Sequence, residues 1–333
     1  SEAIKSANIN FDLLDKTKVG VIWGSGIGGI KTFSDEITGF VEGNKTPRFS
    51  PYFIPKMIAD IAAGIISIKY GFQGPNFATV SACASSSHAI IDAFNYIRLG
   101  KANMFVCGGS EASIYPAGVG GFNALKALST NNENPTKASR PFDVNRDGFV
   151  LGEGAGALIL EEYEHAIQRN ATIYAEVIGG GMSADAYHIT APHPEGLGAI
   201  NVMNNCLLDA QLECEKIDYI NVHGTSTPLG DVSEMKAIHA VFKDSIYNLN
   251  ISSTKSMTGH LLGAAGAIES IACILALKHN TVPPTINLDE LDPDLDHKVD
   301  YTANRAKHKE INYALCNTFG FGGHNASIIF KSI

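Results

Sequence analysis

Short apolar runs alternate along the chain with longer stretches of helical periodicity, and turn residues separate the two kinds. That alternation is the signature of an α/β protein with largely buried strands. Lys18–Trp23 is predicted as a strand running into a glycine loop, and Asn76–Ser81 as a second strand. The second breaks at Ala82-Cys83 into a helix ending near Leu99-Gly100. Met104–Cys107 is a third strand, Gly154–Glu161 a fourth, and Glu162–Gln168 a helix.

A second series begins near Thr172. It comprises strands at Ile173–Val177, Ile217–Val222 and Asn250–Ser253, helices at Ala199–Ala210 and Asp231–Phe242, and a long apolar helix reaching about Lys278. Asn312–Cys316 and Ala326–Phe330 are predicted as closing strands around a loop at 317–325. Both series share one order: a strand, a corner rich in Gly, Ser and Thr that carries Cys or His, then a long apolar helix. The chain is therefore expected to be two similar packed halves, 1–171 and 172–333, without a low-complexity linker. The Pro-rich stretch Val282–Ile286 is expected to be an ordered extended crossing.

Composition narrows the function classes. With Lys+Arg 25 against Asp+Glu 34, the net charge of −9 makes the chain a poor general binder of nucleic acid or anionic membrane. The most apolar stretch, Leu261–Leu277, contains Glu269 and many small residues, which suits a buried helix better than a bilayer span. Six cysteines occur without a CxxC pair, which argues against a zinc site and a disulfide framework and favours a reducing cytoplasm. The start has no basic segment followed by an apolar run, so no signal peptide is expected there.

Three residues then stand out. Cys83 lies where a strand turns into a helix, so backbone N–H groups and the helix dipole favour its thiolate. Small neighbours in Ser81–Ser87 leave room for a substrate. His223 opens His223-Gly-Thr-Ser-Thr-Pro228 at a strand end, and His260 precedes the helix beginning in Leu261-Leu-Gly-Ala-Ala-Gly266. A free cysteine is more often a core residue than a nucleophile. Two histidines at similar corners shift the balance toward a shared cleft. The other histidines lack such settings and are read as surface or capping residues. Gly24-Ser-Gly-Ile-Gly-Gly29 formally matches a dinucleotide loop. Glu42 stands only roughly where a ribose-binding acid is expected, and no close-packed small helix start follows, so dinucleotide binding is set aside. Phe319-Gly-Phe-Gly-Gly-His324 has glycines that can turn N–H groups toward a site, and two phenylalanines able to gate an apolar tunnel.

Together, Ser81-Ala-Cys83-Ala, His223–Pro228, Lys255-Ser-Met-Thr-Gly-His260-Leu-Leu-Gly-Ala-Ala-Gly and Asn317–Gly323 resemble the β-ketoacyl-carrier-protein synthases of the thiolase fold. Ser139–Gly154 and Ser183–His188 add to the likeness, which is greatest to the elongating type II branch and covers essentially the whole chain. Ser81 and Ser85 stand where Thr is common, and His324 where Thr is usual. The resemblance implies a five-layered αβαβα fold and decarboxylative Claisen condensation of an acyl group on Cys83 with malonyl-acyl-carrier protein. It implies that His223 and His260 stabilise the enolate and that the N–H groups of Cys83 and Phe321 form an oxyanion hole. Lys255 and Glu269 would hold the site's electrostatics, and Thr225 and Thr227 the pantetheine arm. Phe321 would gate the acyl pocket, with Ile27 and Phe122 lining it and Phe319 a further substrate-binding candidate. Lys126 and Arg48 are candidate docking residues for the acidic carrier protein. No cofactor or metal is implied, and a homodimer is expected. The resemblance also implies that the first strand and helices of the N-terminal half are missing before Ser1, the strand being expected at the centre of its sheet. A polyketide ketosynthase and a non-catalytic partner subunit are the competing readings.

Overall fold

The computed structural model describes residues 1–333. Its strands are β1 (Val19–Gly24), β2 (Asn76–Thr79), β3 (Met104–Glu111), β4 (Gly154–Glu161), β5 (Glu176–Ala184), β6 (Tyr219–Asn221), β7 (Asn250–Ser252), β8 (Thr281–Val282), β9 (Lys307–His308), β10 (Tyr313–Gly320) and β11 (His324–Lys331). The helices are α1 (Glu2–Ser6), α2 (Ile30–Glu42), α3 (Phe53–Met57), α4 (Ile61–Tyr70), α5 (Ser85–Arg98), α6 (Pro116–Ala124), α7 (Tyr163–Gln168), α8 (Leu197–Ala210), α9 (Pro228–Phe242), α10 (Lys255–Thr258) and α11 (Ala265–His279).

The strands form two mixed sheets, ordered β2-β1-β3-β4 and β5-β11-β10-β6-β7. In the first, β1 runs parallel to β2 and β3, and β4 is antiparallel to β3. The second repeats this design: β6 is parallel to β7 and β10, and β11 is antiparallel to β10. Helices α5 and α11 lie between the sheets, touching strands of both, while α4 covers the outer face of one sheet and α8 with α9 that of the other. The result is the five-layered αβαβα arrangement expected from the resemblance.

The central helices approach closely. A Cβ on Gly266 of α11 would sit 1.9 Å from the Ser87 hydroxyl of α5, so only glycine fits there. This packing explains the apolar Leu262–His279 segment, which by length and hydropathy alone could cross a membrane. Here it is the core helix, with Cys273, Ala276 and Leu277 buried between the sheets.

Four features differ from the expectations. Strand β5 runs to Ala184 through Gly179–Gly181, because Gly179 and Gly181 let α8 pack directly on the strand; a Cβ at Gly181 would lie 2.3 Å from the Val202 carbonyl. The loop expected at 317–325 is mostly ladder, with β10 and β11 paired from Tyr313↔Lys331 to Gly320↔His324 and only a tight turn between. Helices α2, α4 and α6 were not anticipated; glycines and weak periodicity hide α4 and α6, whereas α2 carries a clear amphipathic pattern. Finally, the position that β5 holds in the second sheet corresponds to the edge beside β4 in the first, and not to its centre. The core strands β1 and β3 are paired on both sides, whereas β4 is half-exposed and β11, which β5 covers, is buried.

Candidate active site

The two halves build the same corner twice, and the site lies where they meet. After β2, Ala82 adopts φ +50 and a short 3-10 turn leads into α5; in the second half, Leu262 adopts φ +49 and a matching turn leads into α11. Left-handed backbone at non-glycine residues costs on the order of 1 kcal/mol and persists only when its surroundings impose it. At the first corner the Ser85 hydroxyl imposes it, accepting the Ser81 N–H at 2.9 Å and donating to the Ala82 carbonyl at 2.7 Å. The strained turn presents Cys83 at the start of the helix. In the second half the equivalent position is Gly263, where a Cβ would meet the Gly26 nitrogen at 2.2 Å. Only the first corner carries a thiol.

His260 sits just before the second corner. Its backbone is pinned by Val150, which accepts its N–H at 2.7 Å, and by the N–H of Gly152, which donates to its carbonyl at 2.9 Å. Its Nε2 lies 3.0 Å from the Cys83 sulfur, and its Nδ1 accepts the N–H of Leu262 at 3.3 Å. A ring nitrogen that accepts leaves the proton on the other, so Nε2 is the donor facing the sulfur. His223 follows β6 and meets His260 edge to face, with ring centroids 5.3 Å apart. The buried Glu234 of α9 fixes this corner, accepting the N–H groups of His223 and Gly224 at 2.8 Å each.

Electrostatics keep the cluster neutral. Burial pushes the Cys83 thiol up to about 12, against the pull of Lys255 and of the Phe321 N–H that points at the sulfur. Burial, with Lys255 second, holds both imidazoles well below the usual histidine range. Beneath them Lys255 forms a fully buried ion pair with Glu269, whose carboxyl burial raises to about 7. Donor atoms of Cys83, His223 and His260 all lie within 4.8 Å of one another, a spacing a metal ion could use. The Leu262 bond argues otherwise, since it holds His260 as an N–H donor toward the sulfur and not as a ligand. An N–H donor held above a buried lysine suits a developing anion better than a cation.

A cavity of about 410 Å³ opens onto Cys83 and is lined by His223, His260, Phe122, Phe319, Phe321, Thr225, Thr227 and Lys126. The two threonine hydroxyls stand 3.0 Å apart on its wall. Ile27 does not reach this cavity: Glu111 accepts its N–H at 3.2 Å and its side chain is half-exposed. Arg48 lies in an exposed segment ahead of α3 and does not line the cavity. Lys255 and Glu269 lie behind the wall and not on it.

Three features escaped the sequence. Phe149 packs its ring edge to face against His260 at 5.3 Å and against Phe122 at 5.4 Å, closing an aromatic wall over the sulfur. The glycine loop after β1 does bind an anion, but it is the chain's own Glu111, which accepts from Gly26 at 2.7 Å and Gly263 at 3.1 Å. His88 is not a surface or capping residue; it is half-buried, with Nδ1 2.6 Å from the Ser81 hydroxyl. A larger cleft of about 640 Å³, bordered by Lys31, Lys56, Glu153 and Gly154, holds no thiol or imidazole.

Fold and site together define a thiolase-fold condensing enzyme with a Cys-His-His cluster. Residues 1–166 match the family described as beta-ketoacyl synthase, N-terminal domain, and residues 174–289 match its C-terminal domain. The chain belongs to the β-ketoacyl synthase family. It is 48% identical over 330 residues to the 3-oxoacyl-[acyl-carrier-protein] synthase 2 of a Synechocystis strain, covering 99% of this chain and 79% of that protein. The enzyme of the same name from Coxiella burnetii is 46% identical, with 100% and 80% covered. Among solved structures, a type II polyketide ketosynthase in complex with its acyl-carrier protein superposes with TM-score 0.94 at 35% identity, covering 99% of this chain and 82% of that one. A β-ketoacyl synthase from Burkholderia phymatum gives 0.91 at 37% identity, covering 99% and 81%.

Proposed function

We propose that the chain joins an acyl group held on Cys83 to the two-carbon unit of malonyl-acyl-carrier protein, giving 3-oxoacyl-acyl-carrier protein in fatty-acid elongation. The observation that carries this reading is the donor geometry at the sulfur, His260 Nε2–H at 3.0 Å with its tautomer set by Leu262. The 46–48% identity to elongating synthases supports the same substrate class.

In the first half-reaction the Cys83 sulfur attacks the acyl thioester carbonyl. The carbon–sulfur bond to the carrier breaks, and the thiol proton leaves with the carrier thiol. The Phe321 N–H already aimed at the sulfur, with that of Cys83, supports the tetrahedral oxyanion; such preorganised donors are worth roughly 3–4 kcal/mol each. In the second, the malonyl carboxylate departs as CO₂ and its electron pair forms an enolate on the thioester. Neutral Nε2–H groups of His223 and His260 hold that enolate oxygen. The carbanion carbon then attacks the acyl carbonyl, and Cys83 leaves as thiolate and regains a proton. Burial, with Lys255 second, keeps both imidazoles neutral and therefore able to donate without titrating.

Thr225 and Thr227 are positioned on the cavity wall for the amides of the pantetheine arm, and Lys126 at its mouth for the acidic carrier. Phe319 and Phe321 bracket the acyl end. We also propose that 1–171 and 172–333 are the structural units, that two copies associate, and that the enzyme acts in the cytoplasm. Condensation assayed with acyl-carrier proteins of graded length tests the substrate class: 3-oxoacyl product from saturated acyl chains supports elongation. Turnover only on pre-formed polyketide chains would transfer the protein to the polyketide branch, to which its ketosynthase structural neighbour belongs.

A further inference from the structure

We propose that His88 is a positioning residue that, through the Ser81 hydroxyl, braces the strained turn bearing Cys83, on which the β10–β11 gate hairpin packs. The inference rests on the reading of Cys83 as the acyl acceptor.

The turn needs an external anchor. Ala82 holds left-handed backbone; the Ser85 hydroxyl secures it from within, on the Ser81 N–H and the Ala82 carbonyl, and reaches outside the turn only at 3.3 Å, to the Ser25 carbonyl. His88 lies one turn further along α5 and reaches back to the Ser81 side chain at 2.6 Å. A hydroxyl both donates and accepts, so Ser81 can bond Nδ1 in either neutral tautomer of the ring. Burial and the neighbouring His324 hold the ring below the usual histidine range, so it stays neutral beside the hydroxyl.

The hairpin is fixed as well. The Asn325 amide donates to Asp185 at 2.7 Å, and the hairpin backbone at Gly320 rides directly on the turn, where a Cβ would lie 2.8 Å from the Ser81 carbonyl. The distance from the Phe321 N–H to the sulfur depends on how hairpin and turn are registered. Misplacement by about 1 Å costs on the order of 100-fold in reactions governed by such geometry. Acyl transfer uses both the turn and the hairpin. Malonyl decarboxylation draws its donors from His223 and His260, both on the second half, and does not need the link.

The test compares Ser81→Ala, Ser81→Thr, His88→Phe and the Ser81→Ala/His88→Phe double variant in the full chain. Acylation of Cys83 by acyl-carrier protein, malonyl decarboxylation and amide hydrogen exchange at 319–325 are measured on each. Ser81→Ala and His88→Phe should each slow acylation about tenfold or more, leave decarboxylation within about twofold, and speed exchange at Phe321–Gly323. Ser81→Thr, which keeps the hydroxyl, should restore both. The double variant should be no worse than either single, because one link is being cut. Equal losses in both reactions, unchanged acylation in folded Ser81→Ala, or additive losses would overturn the proposal. Ser81→Ala removes a single oxygen and carries the test should His88→Phe fail to fold. If the wild-type chain were not acylated at Cys83, the functional reading would fail, while hydrogen exchange would still report whether the link exists.

Discussion

Nε2 of His260 stands 3.0 Å from the sulfur of Cys83, while the N–H of Leu262 occupies its Nδ1. The imidazole is therefore a fixed donor toward the place where negative charge develops, and not a base waiting to remove the thiol proton. The sulfur and the donors are separable parts of the machine.

Cys83→Gln exploits that separation. The amide cannot accept an acyl group, so condensation should fall below detection. The histidine donors remain, so CO₂ release from malonyl-carrier protein should persist or rise. Radiolabelled CO₂ counted beside 3-oxoacyl product checks both, and loss of decarboxylation together with condensation would show that the histidines do not act as assigned.

His260→Ala should give the converse pattern. Removing one preorganised donor costs about 100- to 1,000-fold in comparable sites. Decarboxylation should drop by that order, while acylation of Cys83 should drop far less, since the Phe321 N–H still faces the sulfur. Single-turnover acylation and CO₂ release measured on the same preparation separate the two steps. Equal losses would put His260 in the acylation step as well.

How much of this was legible in the residues follows from where each one sits. Cys83, His223 and His260 interrupt apolar strands at corners of small residues, a local break that shows in the chain itself. The doubled strand-corner-helix order likewise revealed two similar halves. Glu234 and Glu111 were invisible because each is an ordinary acid within a helix or strand. Their importance lies in backbone N–H groups 10 and 85 residues away. His88 looks like any polar residue of an amphipathic helix until Ser81 folds back over it. Ile27 was misplaced for the opposite reason: the Gly24–Gly29 loop turns inward only as far as Glu111, which leaves its side chain outside the cavity.

Glu234 gives the fold a pH signature. Burial raises its carboxyl from 4.5 to about 7, so the folded state holds a proton that the unfolded state has lost between those values. With more protons bound in the folded state, stability falls as pH rises through that window and is level above it. At roughly 1.4 kcal/mol per pH unit, the loss approaches about 3 kcal/mol. Glu234→Gln has no proton to lose. Its stability relative to the wild type should therefore improve as pH is raised from 4.5 to 7, even though one of the two backbone N–H groups loses its acceptor. Urea midpoints of both proteins across that range measure the difference, and parallel curves would place the titration elsewhere.

Gly320 tests the contact between hairpin and turn. A Cβ there would lie 2.8 Å from the Ser81 carbonyl, 3.1 Å from the Cys83 nitrogen and 3.2 Å from the Ala84 nitrogen. None of these is a flexible side-chain end, so Gly320→Ala must push the hairpin off the turn. Overpacking of this kind costs typically about 1–3 kcal/mol. Because the Phe321 N–H moves with the hairpin, acylation should suffer beyond what the lost stability accounts for, and alkylation of Cys83 by iodoacetamide should become faster as the lid over the sulfur loosens. Denaturation, acylation and alkylation rates of the one variant decide it. A variant that is destabilised but acylates and alkylates at wild-type rates would mean that Gly320 is needed for folding alone, and that the hairpin does not govern access to the sulfur.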